Sequence, residues 1–94
     1  MEKRRLNGLS MTTKEKAHRH IQRRLHLPDY YGCNLEALCD CLGEIGQPTQ
    51  ITLVNARAMN RKLGVYGQKL ISVLIACTGE NPRLNLLVRQ GLWK

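Results

Sequence analysis

Phenylalanine is absent from this 94-residue chain and tryptophan occurs once. With almost no large aromatic rings to fill interior space, the core has to be assembled from Leu, Ile, Val and Ala. Long apolar runs are missing as well. None approaches the roughly 20 residues that a membrane helix requires, and the basic start, MEKRRLNGLSMTTKEK, lacks the apolar stretch of a secretory signal. A cytoplasmic chain without a membrane partner is the expectation. Acidic residues are scarce, 7 against 15 Lys and Arg, for a net charge of +8. The most informative absence is local. From Leu27 to Glu44 the chain reads LPDYYGCNLEALCDCLGE, with Asp29, Glu36, Asp40 and Glu44 but no Lys or Arg. This island carries −4, while the remainder, fifteen basic residues against Glu2, Glu15 and Glu80, carries +12.

The signatures of catalysis are lacking too. There is no glycine loop to cradle a phosphate, no HExxH pair, and no nucleophile with a base at a useful spacing. His18 and His20 diverge if they lie on a helix, and the Cys and His spacings match no zinc finger. The chain reads as a non-enzyme with no cofactor and no metal. Its four cysteines, Cys33, Cys39, Cys41 and Cys77, are expected as free thiols in a reducing compartment. A Cys39–Cys41 bridge is excluded on a helix, where residues two apart face different ways.

Element signals alternate along the chain. Lys3 to Leu6 starts a short strand and Asn7-Gly8 turns it. Thr12 with Glu15 has capping-box spacing and opens a helix over 13–25, with Ala17, Ile21 and Leu25 as its apolar stripe. Leu27-Pro28 closes it. Asn34 caps a helix over 35–42, built on Leu35, Leu38 and Leu42. Gln50 to Val54 reads as a buried strand. Asn55 then caps a helix over 56–63, stopped by Gly64. A fourth helix spans 67–78 with Leu70, Ile71, Leu74 and Ile75 inward, and Leu84 to Val88 is the last strand. Strands separated by helices imply parallel pairing through right-handed crossovers. The expected fold is α/β, a three-stranded parallel sheet packed with four helices. It forms one domain over 1–90 with a tail at 91–94.

Within the acidic island, Glu36 has a local justification, since a carboxylate in a helix's first turn gains about 0.3–1 kcal/mol from the dipole. Asp40 has none. It is mid-helix, flanked at i−4 and i+4 by Glu36 and Glu44, and no basic residue at i±3 offsets the repulsion. A residue unfavourable for its own helix is a candidate for function, with a tertiary salt bridge as the alternative. Tyr30 and Tyr31 are adjacent, so one is expected on the core and the other outward. Tyr30 is the choice for the outward anchor.

The run LPDYYGCNLEALCDCL resembles the signature segment of the barstar family of intracellular ribonuclease inhibitors: proline, an acid, Tyr-Tyr-Gly, then Asn-Leu, an acid, Ala-Leu and Asp-Cys-Leu. The order of elements matches that fold from Lys3 to Val88. The resemblance implies an immunity protein that occludes the active site of a ribonuclease toxin, its helix carboxylates standing where RNA phosphates would lie. By position, Asp40 is the central phosphate mimic, Glu36 a second acceptor and Tyr30 the packing aromatic. Tyr31, Gly32, Asn34, Leu35, Cys39, Gly43 and Glu44 complete the implied contact. Cys39 stands where the family's best-known member has an aromatic, and Ala76 where it has a further acid. That member is acidic overall, whereas this chain is basic.

Two other readings use the same composition: a barstar-fold module with a different protein partner, and a nucleic-acid binder acting through Lys14, Lys16, His18, Arg19, His20, Arg23 and Arg24 of the first helix. A solvated helix face, supported by the Glu15–Arg19 pair at i, i+4, is favoured over the latter. The chain is expected to be a monomer.

Overall fold

The computed structural model describes residues 1–91, so 92–94 of the expected tail lie outside the described residues. Three strands, β1 (Glu2–Asn7), β2 (Thr49–Val54) and β3 (Leu84–Val88), form a parallel sheet in the order β1-β2-β3. The first crossover carries α1 (Lys14–Leu25) and α2 (Leu35–Gly43); the second carries α3 (Ala56–Leu63) and α4 (Val65–Gly79). The α/β fold with two helices per connection is as expected from the sequence.

Alternation along the strands shows which face the helices cover. Leu6, Ile51, Leu53 and Leu84 are buried and join Ala17, Ile21 and Leu25 of α1, Leu38 and Leu42 of α2, Met59 of α3, and Leu70 and Leu74 of α4 in one aliphatic core. The intervening Lys3, Arg5, Asn85 and Leu87 are exposed. Among the described residues the sheet is therefore packed on one side only, unlike most parallel sheets and unlike the buried strand expected over Gln50 to Val54.

Two close approaches explain glycines. A Cβ on Gly8 would lie 2.1 Å from the carbonyl oxygen of Asn55, and one on Gly67 would lie 2.5 Å from Asn60 Oδ1. The first brings the end of β1 against the β2–α3 junction, and the second lets α4 start close to α3.

Several local expectations need correction. The cap of α1 is Thr13, whose Oγ1 accepts from the Lys16 amide at 3.1 Å, so Thr12 and Glu15 form no capping box. The helix ends on His26 in the left-handed conformation, before Pro28 can act. Asn55 does not cap α3 with its side chain. It is itself left-handed, and the first amides of α3, on Ala56 and Arg57, instead donate to the carbonyls of Arg89 and Gln90 just beyond β3. Ile75 faces solvent, because α4 is apolar around most of its circumference and the buried stripe runs through Gly67, Leu70, Leu74 and Cys77.

The expectation of four free thiols is overturned. Cys39 and Cys77 form a disulfide with their Cα atoms 5.4 Å apart, leaving Cys33 exposed and Cys41 buried as thiols. The packing of α2 on α4 brings the two residues within bridging distance, a contact across 38 residues that spacing cannot reveal.

Candidate functional site

The segment leading into α2 is a turn held from both sides. The Tyr31 amide donates to the Pro28 carbonyl at 3.0 Å, which puts Asp29 and Tyr30 at the turn's two central positions. Gln22 Nε2 donates to the same carbonyl. Tyr30 is accordingly 78% exposed, and Tyr31 is buried. The Tyr31 hydroxyl meets His18 Nδ1, whose ring Nε2 meets the Tyr66 hydroxyl at 2.6 Å. One histidine of α1 thus ties the turn to α4. Burial holds the His18 pKa below its ordinary value and pushes the Tyr31 hydroxyl up, so the link joins neutral groups.

After Cys33, which is left-handed, Asn34 caps α2 as expected, its Oδ1 accepting from the Ala37 amide at 2.7 Å. The helix is held at two further points. Its middle is joined to α4 by the Cys39–Cys77 disulfide. At its end the Nδ2 of buried Asn81 donates to the carbonyls of Leu42 and Ile45, at 2.9 and 3.0 Å, satisfying acceptors that a helix terminus leaves open.

On this fixed helix Glu36, Asp40 and Glu44 are all exposed, one turn apart along one side. Among the described residues none of them, nor Asp29, takes part in a salt bridge; the ion pair found is Arg4 with Glu2. The alternative in which a distant arginine justifies Asp40 is therefore set aside. Gly43 and Glu44 stand at the C-terminal end of the helix with no basic residue in its last turn, where the dipole disfavours a carboxylate. The thiol of Cys41 shows the resulting field: burial raises its pKa, and Glu44 and Asp40 push it further.

The residues named from sequence do not all reach this surface. Tyr30, Gly32, Asn34, Glu36, Asp40, Gly43 and Glu44 are exposed on the turn and helix, and Leu35 is half-buried against the core. Tyr31 is buried rather than presented on this surface. Its ring belongs to the core and its hydroxyl to His18. Cys39 is half-buried, with its sulfur committed to Cys77. His18 and His20 are buried, which removes both from the solvated face of α1 on which phosphate contacts were considered. Sequence reasoning missed His18 as the turn's anchor, although its spacing of three and seven from Ile21 and Leu25 places it on the buried stripe.

The sequence profile of the family described as Barstar (barnase inhibitor) matches residues 1–88. The chain belongs to the barstar family. A curated relative, "Putative ribonuclease inhibitor YrdF" of Bacillus subtilis (strain 168), is 36% identical over 70 residues, 73% of this chain and 77% of that protein. The family match over residues 1–88 includes the acidic turn and helix.

Proposed function

We propose that this barstar-family protein inhibits a ribonuclease by seating α2 in the enzyme's cationic cleft, with Asp40 and Glu36 in the places of RNA phosphates and Tyr30 packed at the rim. The observation that carries the reading is that the acidic residues of α2 are exposed and, among the described residues, form no salt bridge, in a chain of net charge +8. Carboxylates paired bidentately with arginine in a water-poor cleft form strong, directional hydrogen bonds. A helix already fixed at cap, middle and end loses little freedom on binding, so more of the interaction energy appears as affinity. The family description and the name of the relative support a ribonuclease as the partner. An immunity role in the cytoplasm, against a ribonuclease toxin, is the proposed setting; a reducing compartment would open the Cys39–Cys77 bridge and leave α2 held at its cap and its end.

Gly43 supplies a steric test. A Cβ there meets nothing within 4 Å, so a large side chain is tolerated by the fold yet projects from the end of the contact helix. Inhibition kinetics on a panel of small basic bacterial ribonucleases, barnase included, should show inhibition competitive with RNA, lost in Gly43→Trp while the thermal unfolding midpoint stays unchanged. Inhibition of no member of the panel, or equal inhibition by the Trp variant, contradicts the reading.

A further inference from the structure

The disulfide between α2 and α4 has a third donor beside it. Cys77 lies near the end of α4 and Glu80 is that helix's C-cap, three positions on, a spacing that puts both side chains on one face of a helix. Cys39 meets them from the middle of α2. Among the described residues the two sulfurs and a carboxylate oxygen of Glu80 all lie within 4.8 Å of one another, Cys77 being buried, Cys39 half-buried and Glu80 exposed. Their nearness does not rest on the bridge alone. Asn81, next to Glu80, fastens the end of α4 to the carbonyls of Leu42 and Ile45, and Leu38, Leu42, Leu70 and Leu74 pack the two helices into the same core. Two thiols and a carboxylate therefore stay together when the bridge is opened.

We propose that the reduced form of this cluster is a zinc site, with the thiolates of Cys39 and Cys77 and the carboxylate of Glu80 as ligands and water in the fourth position. Opening the bridge takes a thiol reductant: two thiols pass two electrons and two protons to Cys39 and Cys77, the bond between these breaks, and the thiols leave joined as a disulfide. Zinc then displaces the protons of both cysteines. A tetrahedral ion with Zn–S of about 2.3 Å and Zn–O of about 2.1 Å sets its ligand atoms about 3.5–3.8 Å apart. With the Cα atoms 5.4 Å apart, rotation of the cysteine side chains reaches that separation. Thiolates select zinc over magnesium and calcium, and a carboxylate beside them suits zinc better than copper(I). Exposed Glu80 marks the side from which the ion enters. Chain spacing hides the site, because its ligands come from two helices and 38 residues separate the cysteines. The ion exchanges one brace for another, so α2 stays tied to α4 at its middle whether the cysteines are oxidised or reduced. The proposal stands independently of ribonuclease inhibition.

Titration of the full chain with zinc at pH 7.5, against a chromophoric chelator, tests this. The chain is first reduced and freed of reductant under anaerobic conditions. It should bind one zinc ion and release about two protons, since a free thiol titrates near pH 8.5, while the disulfide form should bind none at this site. Glu80→Gln, at an exposed position, should weaken binding by at least about tenfold, and Cys77→Ser by more than about 100-fold, beyond the range usual for groups that only support a metal ligand. Cys33→Ser removes the exposed thiol outside the cluster and should leave affinity within about twofold of wild type. Circular dichroism confirms that the variants fold. Cobalt(II) in place of zinc should show the strong visible bands of a tetrahedral ion and thiolate charge transfer in the near ultraviolet, both changed in Glu80→Gln, which keeps the test open if Cys77→Ser does not fold. Absence of binding to the reduced chain, equal binding by the disulfide form, an unaffected Glu80→Gln, or an equal loss in Cys33→Ser overturns the proposal.

Discussion

At the scale of single residues, two buried histidines make the protein sensitive to acid. His18 sits between Tyr31 and Tyr66, and His20 accepts the Asn7 amide on Nε2 at 2.9 Å while its buried Nδ1 has no hydrogen-bond partner among the described residues. Burial holds both pKa values below the ordinary 6.5, and Arg23 and Arg24 add to the effect at His20. The unfolded chain therefore takes up protons first as pH falls. The stability that the neutral rings contribute is complete above about pH 6.5 and is lost as pH drops through their lower folded values. The urea midpoint should fall between pH 7.5 and pH 5.0, and a flat or rising profile contradicts this. Asp40 was legible as an exposed candidate because its spacing from Glu36 and Glu44 is unfavourable on any helix, whatever surrounds it. His18 was not, because its partners come from residues 13 and 48 positions away and only packing brings them together.

At the scale of elements, α2 is a short helix made rigid by its surroundings. The disulfide closes a loop of 38 residues, for which chain entropy gives about 4 kcal/mol, with measured bridges more often giving 2–4. Replacing Cys39 and Cys77 together by alanine should lower the unfolding free energy by about 2–4 kcal/mol in oxidising buffer, and a reductant should bring the wild-type chain down to nearly the same value. Identical stability of wild type and variant without reductant contradicts it. Element order and most boundaries were readable from turn residues and periodicity, since Asn7-Gly8, Asn34 and Gly64 act locally. The rotation of α4 was not readable. Its apolar residues surround the axis, so the choice of Leu70, Leu74 and Cys77 over Ile75 is made by α2 and the sheet. The cap of α3 escaped for a similar reason, its donors being satisfied by backbone beyond β3.

At the scale of the whole molecule, charge is divided: an acidic helix on one side and a basic sheet face on the other, with +8 overall. Long-range attraction to a cationic enzyme is thereby weakened or reversed. The Debye length of about 8 Å in the cell still isolates a nine-residue helix, about 13 Å long, from distant basic groups. Association with a basic ribonuclease should therefore proceed at an unsteered rate of about 10⁵–10⁷ M⁻¹s⁻¹ and change little with ionic strength. Stopped-flow measurement from 20 to 300 mM salt checks this, and a steep fall with added salt contradicts it. Neither the one-sided packing of the sheet among the described residues nor the collection of cations on its open face was readable, because both require the register of all three strands; Gln50 to Val54 read as a strand buried on both faces.

The most direct measurement is the inhibition constant of Asp40→Asn, which keeps the side chain's shape and removes its charge, beside Glu15→Gln as an exposed acid on α1. If Asp40 fills a phosphate's place, its loss strands a buried cation on the enzyme, at about 3–5 kcal/mol, so inhibition should weaken more than 100-fold, while Glu15→Gln remains within twofold of wild type. An Asp40→Asn protein that inhibits as tightly as the wild type would contradict the account.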